Sequence, residues 1–189
     1  MSESEVISVS KQLLRKQVAS YKRSFSEKQL SDFSQETISM LIQSEFFRKA
    51  RCILAYCSMP DEVDTRWLLK TQGDSKQFLL PVVTGKDLTL KAYTSDEKMI
   101  CSTYGIWEPE GDRFTAYRDI DLVIVPGVAF DRKLHRLGRG KGFYDRLLPD
   151  ISAPKAGICF NFQMFNEVPF GEDDYKMDIL FTQSEMIMK

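Results

Sequence analysis

The apolar run Asp121-Leu122-Val123-Ile124-Val125-Pro126-Gly127, followed closely by Leu137-Gly138-Arg139-Gly140-Lys141-Gly142-Phe143-Tyr144-Asp145, constrains the fold of this chain more than any other feature. A short uninterrupted apolar stretch reads as a strand buried on both faces, the kind found in a sheet with helices on either side. The stretch after the glycines, 143–148, reads as helical. Strand, glycine loop and helix in that order belong to an α/β layer. Further apolar runs at 52–56, 78–83, 88–93, 155–160 and 179–181 read as strands, with Thr84-Gly85-Lys86-Asp87 as the turn between two of them. The expected fold is therefore a layered α/β structure with a mainly parallel central sheet flanked by helices. A chain of 189 residues with no evident linker or repeat is expected to form a single domain over 1–189.

The glycine run also predicts chemistry. Gly138, Gly140 and Gly142 let backbone N–H groups turn toward a ligand and approach it closely. Arg139 and Lys141 add whole charges, and Arg136 stands just upstream. This combination suits a polyphosphate, and the adjacent Asp145 could hold an accompanying metal. The run is not a Walker A loop, because Gly142 rather than Ser or Thr follows Lys141, and its G-x-G-x-G spacing is not the dinucleotide fingerprint.

Composition excludes several classes of function. A net charge of −1 gives no reason to expect nucleic acid or an anionic membrane surface as a partner. Cys52, Cys57, Cys101 and Cys159 form no C-x-x-C pair, and His135 is the one histidine, so neither zinc spacing nor a disulfide framework is present. No apolar run approaches the length of a membrane span and no signal-peptide pattern is seen, so a cytoplasmic location is expected. No Ser/His/Asp or Cys/His triad can be assembled.

Before the first strand, 6–22 reads as an amphipathic helix with Val6, Val9, Leu13, Val18 and Tyr21 toward one face. Lys11 and Arg15 lie four apart on another face, which suits either solvent or an anion held between them. Ser26 and Gln29 form a capping box for a second helix, and Asp64 can cap a short one. In a parallel sheet, ligands sit beyond the carboxyl ends of the strands. That rule selects the loops 57–62, 126–145 and 161–178. They contain Glu62, His135, Asp145 and Asp178. Two carboxylates, Asp145 and Asp178, are enough for a magnesium shell when phosphates and waters complete it. His135 is open to three readings: proton carrier, loop residue or additional phosphate donor. Tyr104-Gly105-Ile106-Trp107-Glu108-Pro109 reads as a loop, in which Trp107 is either a hydrophobic anchor or a platform for a flat heterocycle.

Taken together, these motifs resemble a known family. Lys11-Gln12-Leu13-Leu14-Arg15, Ser58-Met59-Pro60-Asp61-Glu62-Val63-Asp64-Thr65, Tyr104 to Pro109, Val125-Pro126-Gly127-Val128-Ala129-Phe130-Asp131, Arg136 to Asp145 and Lys176-Met177-Asp178 occur in an order that resembles the 5-formyltetrahydrofolate cyclo-ligases, also called methenyltetrahydrofolate synthetases. The resemblance spans nearly the whole chain. It implies a fold similar to sugar-phosphate isomerases and CoA transferases. It also implies an ATP- and Mg²⁺-dependent cyclisation of 5-formyltetrahydrofolate to 5,10-methenyltetrahydrofolate by a monomer. By the same resemblance, Lys11, Arg15, Arg136, Leu137 and the residues Gly138, Arg139, Gly140, Lys141, Gly142, Phe143 and Tyr144 bind ATP. Arg139 and Lys141 act in catalysis. Glu62 and Trp107, with Arg139, Gly140, Lys141, Gly142 and Phe143, bind the folate, and Asp145 and Asp178 hold Mg²⁺. Phe143 departs from the pattern, since many relatives carry Tyr there. The loss of that hydroxyl bears on substrate affinity more than on the reaction.

Overall fold

The protein is described from a computed structural model covering residues 2–102 and 105–188. Three helices come first: α1 (Glu3–Lys22), α2 (Glu27–Gln43) and α3 (Glu45–Lys49). The expected capping box starts α2, with the Ser26 hydroxyl accepting from Gln29 N and the Gln29 side chain accepting from Ser26 N. Next come β1 (Cys52–Leu54), α4 (Arg66–Gln72), and a hairpin of β2 (Gln77–Thr84) and β3 (Asp87–Ala92). At the start of α4 the N-cap is Thr65, while Asp64 still accepts a hydrogen bond from Arg66 N.

A small antiparallel ribbon follows, β4 (Met99–Cys101) with β5 (Trp107–Pro109), and then β6 (Arg113–Phe114). The second half of the segment expected to be a loop at 104–109 is therefore strand; Tyr104 lies outside the described residues. The rest of the chain supplies β7 (Leu122–Val125), β8 (Ala129–Asp131), β9 (Arg136–Leu137), α5 (Phe143–Leu147), β10 (Lys155–Ile158), β11 (Met164–Phe165), β12 (Ile179–Phe181) and β13 (Met186–Met188).

Among the described residues the main sheet has the order β13-β12-β10-β7-β1-β2-β3-β6. From β12 to β2 every pairing is parallel, and the antiparallel pairings lie toward the edges. Side chains of a strand alternate between faces, and β7 shows why its sequence is wholly apolar. Leu122 and Ile124 pack with Ile38, Leu41, Phe47 and Leu68 from α2, α3 and α4 on one face. Val123 and Val125 pack with Phe130, Leu147 and Leu148 on the other. A second sheet, β11-β8-β9, covers part of that second face.

α1 lies on this second sheet through Leu14 and Val18, against Ala129, Leu137 and Val168. Burying such side chains contributes roughly 1.5–3 kcal/mol each. The face of α1 differs from expectation. Val6, Val9, Leu13 and Tyr21 are exposed, and the buried positions are Leu14, Val18 and Lys22. The polar residues explain the rotation. Arg15 Nε donates to Gly138 O at 2.8 Å and Lys11 is ion-paired with Asp174, so both point at the body of the protein alongside Leu14 and Val18. Among the described residues, no helix is long and apolar enough to cross a membrane.

Candidate active site

From β1 the chain moves to β2 on one side of the sheet, while β7 leads to β10 and β12 on the other. The boundary between β1 and β7 is thus a topological switch point, where a crevice forms beyond the carboxyl ends of the strands. A cavity of about 300 Å³ occupies that place. The loop after β1 supplies Tyr56, Cys57, Met59 and Glu62; the segment after β7 supplies Pro126, Gly127 and the run from Gly138 to Asp145. Pro81, Val83 and Leu88 of the hairpin, with Ile106 and Glu108 of the ribbon, form an apolar wall carrying one carboxylate. The third loop selected by the strand-end rule, 161–178, stays outside the cavity lining.

The glycine run has the backbone its sequence predicts. Gly140 and Gly142 have φ of 97° and 65°, left-handed conformations that disfavour any side chain, and α5 begins at the second of them. Lys141 is exposed, contributes to the cavity lining and forms no ion pair among the described residues. Arg139 is held instead by two carboxylates, donating from Nε to Glu62 Oε1 at 3.0 Å and from Nη2 to Asp61 Oδ1 at 2.5 Å. Burial works against its charge, but Glu62 and Asp61 outweigh it and hold the guanidinium above its ordinary pKa. Arg136 is buried, donates from Nη2 to Asp145 Oδ1 at 2.6 Å, and stacks over the Tyr144 ring at 5.7 Å. Arg136 Nε and the Tyr144 hydroxyl are buried without a partner among the described residues. Such groups are rare in folded proteins and fit a ligand-facing wall. Burial, reinforced by Glu62, pushes the Tyr144 phenol well up, so it stays a neutral donor.

The model of the 5-formyltetrahydrofolate cyclo-ligase family matches residues 7–183. The chain belongs to the 5-formyltetrahydrofolate cyclo-ligase family. It is 31% identical over 161 residues to a probable 5-formyltetrahydrofolate cyclo-ligase of Schizosaccharomyces pombe, covering 75% of this chain and 79% of that one. A 5-formyltetrahydrofolate cyclo-ligase of Haemophilus influenzae is 33% identical over 131 residues, covering 65% and 70%. Among solved structures, the 5,10-methenyltetrahydrofolate synthetase of Aquifex aeolicus superposes with a TM-score of 0.85 at 35% identity, covering 94% of this chain and 92% of that one.

Within this cyclo-ligase fold, the structure brings most of the expected site residues to one cavity. Glu62, Arg136, Gly138, Arg139, Gly140, Lys141, Gly142, Phe143, Tyr144 and Asp145 all line it. Arg15 reaches the back of the glycine run, its guanidinium carbon 3.4 Å from where a Cβ on Gly140 would sit. Burial lowers the pKa of Arg15, with Asp174 acting the other way. Leu137 is buried in the α1 contact and supports the loop from behind. Lys11 is engaged with Asp174, donating to Oδ1 at 2.6 Å.

Trp107 and Asp178 are not brought in. In β5 successive side chains point to opposite sides, so Glu108 lines the cavity, as does Ile106 just before the strand, and Trp107, 49% exposed, points away. Asp178 precedes β12 at the amino end of the sheet, where its Oδ2 accepts from Lys155 N at 2.8 Å. Asp145 Oδ1 accepts from Arg136 and from Tyr175 N, while its Oδ2 takes no hydrogen bond among the described residues. No group of three potential ligands occurs among those residues. A magnesium ion carried by phosphates needs only one or two protein carboxylates, so Asp145 fits and Asp178 does not. His135 faces away as well: Nδ1 bonds the fully buried Asp131 at 2.9 Å and the ring stacks on Phe170.

Sequence reasoning missed Asp61, Tyr56 and Glu108. Asp61 had a signal, standing beside Glu62 in a strand-end turn. Glu108 had one only if 107–109 were recognised as strand.

Proposed function

We propose that this chain catalyses the ATP-dependent cyclisation of 5-formyltetrahydrofolate to 5,10-methenyltetrahydrofolate, releasing ADP and phosphate. The observation that carries the reading is one cavity with two unlike walls, at the switch point of a cyclo-ligase fold. One wall is a glycine run with cations, suited to phosphates; the other is apolar, suited to a flat heterocycle.

The formyl oxygen must leave for N10 to bond the formyl carbon, and oxide does not leave. Transfer of the γ-phosphoryl group forms an O–P bond at the formyl oxygen and breaks the bond to ADP. N10 then bonds the formyl carbon and gives up its proton, the C–O bond breaks, and phosphate departs. Little covalent chemistry is asked of the protein. Its tasks are in-line positioning and neutralisation of charge. Lys141 and Arg139 stand where they can neutralise charge developing on the transferred group. Arg136, Leu137 and the Gly138–Tyr144 run would hold the nucleotide, with Arg15 and Lys11 contributing from α1. An anion arriving at Arg139 competes with Asp61 and Glu62, and thereby frees Glu62 to accept hydrogen bonds from the folate. Asp145 Oδ2 would hold a magnesium ion, which when bound offsets phosphate charge.

The test is spectrophotometric. Purified protein, (6S)-5-formyltetrahydrofolate, magnesium and ATP should develop the near-ultraviolet absorbance of the methenyl product, and omission of ATP should abolish it. Arg139→Ala should lower kcat by about 10²–10³, as loss of a transition-state donor does elsewhere, while melting stays cooperative. Nucleotide binding without folate turnover would replace the reading with that of a nucleotide sensor.

A further inference from the structure

We propose that Glu108 selects the substrate by accepting a paired hydrogen bond from the 2-amino and N3–H groups of its 2-amino-4-oxopyrimidine ring. The proposal rests on the cyclo-ligase reading and deepens it.

Glu108 is 7% exposed and lines the cavity. Its Oε1 accepts from Val83 N at 3.1 Å, which fixes the carboxylate against β2. Neither oxygen meets a cation among the described residues, and Oε2 takes no hydrogen bond among them. The other carboxylates lining the cavity each face a cation. Glu62 holds Arg139 and accepts from Met59 N, and Asp145 holds Arg136. Glu108 is thus a buried acceptor without a counter-charge, set in a wall of Pro81, Val83, Leu88 and Ile106. A carboxylate in such surroundings is costly unless something donates to it.

The chemistry of the two ligands decides which one donates. A carboxylate only accepts, and its strongest partners present two parallel donors. The reduced pterin ring does so with its adjacent N3–H and amino groups. Adenine sets its amino donor beside ring-nitrogen acceptors, whose lone pairs would face the carboxylate. The apolar wall also matches the remainder of the pterin, which leaves the phosphates to the glycine run on the opposite side.

Glu108→Gln tests this without disturbing the fold. The amide oxygen can still accept from Val83 N, while the amide nitrogen turns a donor toward the ligand's donors. We expect KM for 5-formyltetrahydrofolate to rise tenfold or more, with KM for ATP within twofold of wild type. The wild-type enzyme should also discriminate tenfold or more against the 2-desamino-2-methyl analogue of the substrate, and Glu108→Gln should lose most of that discrimination. A non-additive cycle of this kind reports direct contact. An unchanged folate KM in a folded variant, a rise confined to the ATP KM, or equal use of the analogue by wild type would each overturn the assignment of Glu108 while leaving the cyclo-ligase reading standing. Absence of wild-type turnover would overturn both.

Discussion

Asp61 holds two cations at once, Lys22 Nζ at 3.0 Å and Arg139 Nη2 at 2.5 Å, and so ties the end of α1 to the glycine run. Its burial favours the neutral acid, but Lys22 and Arg139 together overcome this and hold its pKa below the usual carboxylate range. A depressed folded-state pKa contributes stability above the unfolded value, near 3.9, and loses it as pH falls through the folded pKa. Asp61→Asn should therefore be less stable than wild type near pH 7, with the gap closing below about pH 4. Denaturant melts across that range check it, and a gap independent of pH would show that the ion pairs are not the cause. At this scale, the residues legible in the sequence were those whose type carries the chemistry. The glycines and cations of Gly138-Arg139-Gly140-Lys141-Gly142 give the loop its left-handed turns and its charge wherever it lies. Trp107 and Asp178 do not line the cavity for the opposite reason: where a ring or a carboxylate lies depends on its backbone, through strand phase and strand end.

The elements differ in how much local sequence decides them. α2 is fixed locally, since Ser26 and Gln29 satisfy each other's backbone N–H groups. Ser26→Ala should cost about 1 kcal/mol. That corresponds to a fall in Tm of roughly 2–4 °C for a chain of this size, measured by thermal melting, and no change would mean the cap is compensated elsewhere. α1 is equally legible as a helix, but its buried side is not. Val6, Val9 and Leu13 make the more apolar stripe, yet Lys11 and Arg15 find their partners on the body and turn Leu14 and Val18 inward. Two ion-pair and hydrogen-bond anchors from distant loops outweighed local amphipathicity. β5 was hidden because three residues with a proline carry almost no periodicity, and only pairing with Met99–Cys101 makes them strand.

For the whole molecule, the class of fold followed from strands apolar on both faces, but the order of strands did not. Nothing local in Leu122-Val123-Ile124-Val125 states that β1 lies on one side and β10 on the other. That order creates the switch point and hence the cavity. α1 then closes over the structure from outside the main sheet, touching the glycine run through Arg15. If the run receives ATP, saturating nucleotide should stabilise the protein by about 2.7 kcal/mol at a hundred times Kd. That is a rise in Tm of roughly 5–10 °C. Arg15→Ala should shrink the rise at equal ATP, and an undiminished rise would remove α1 from nucleotide binding. The phase of β5 has an optical consequence. Both tryptophans, Trp67 and Trp107, sit about half in water, so the native protein should fluoresce far toward the red. Trp107 is joined by a peptide bond to Glu108, whose carboxylate is proposed to grip the pterin. Its emission should therefore change as the cavity fills, giving an intrinsic reporter of substrate arrival from the outer side of the wall the substrate touches.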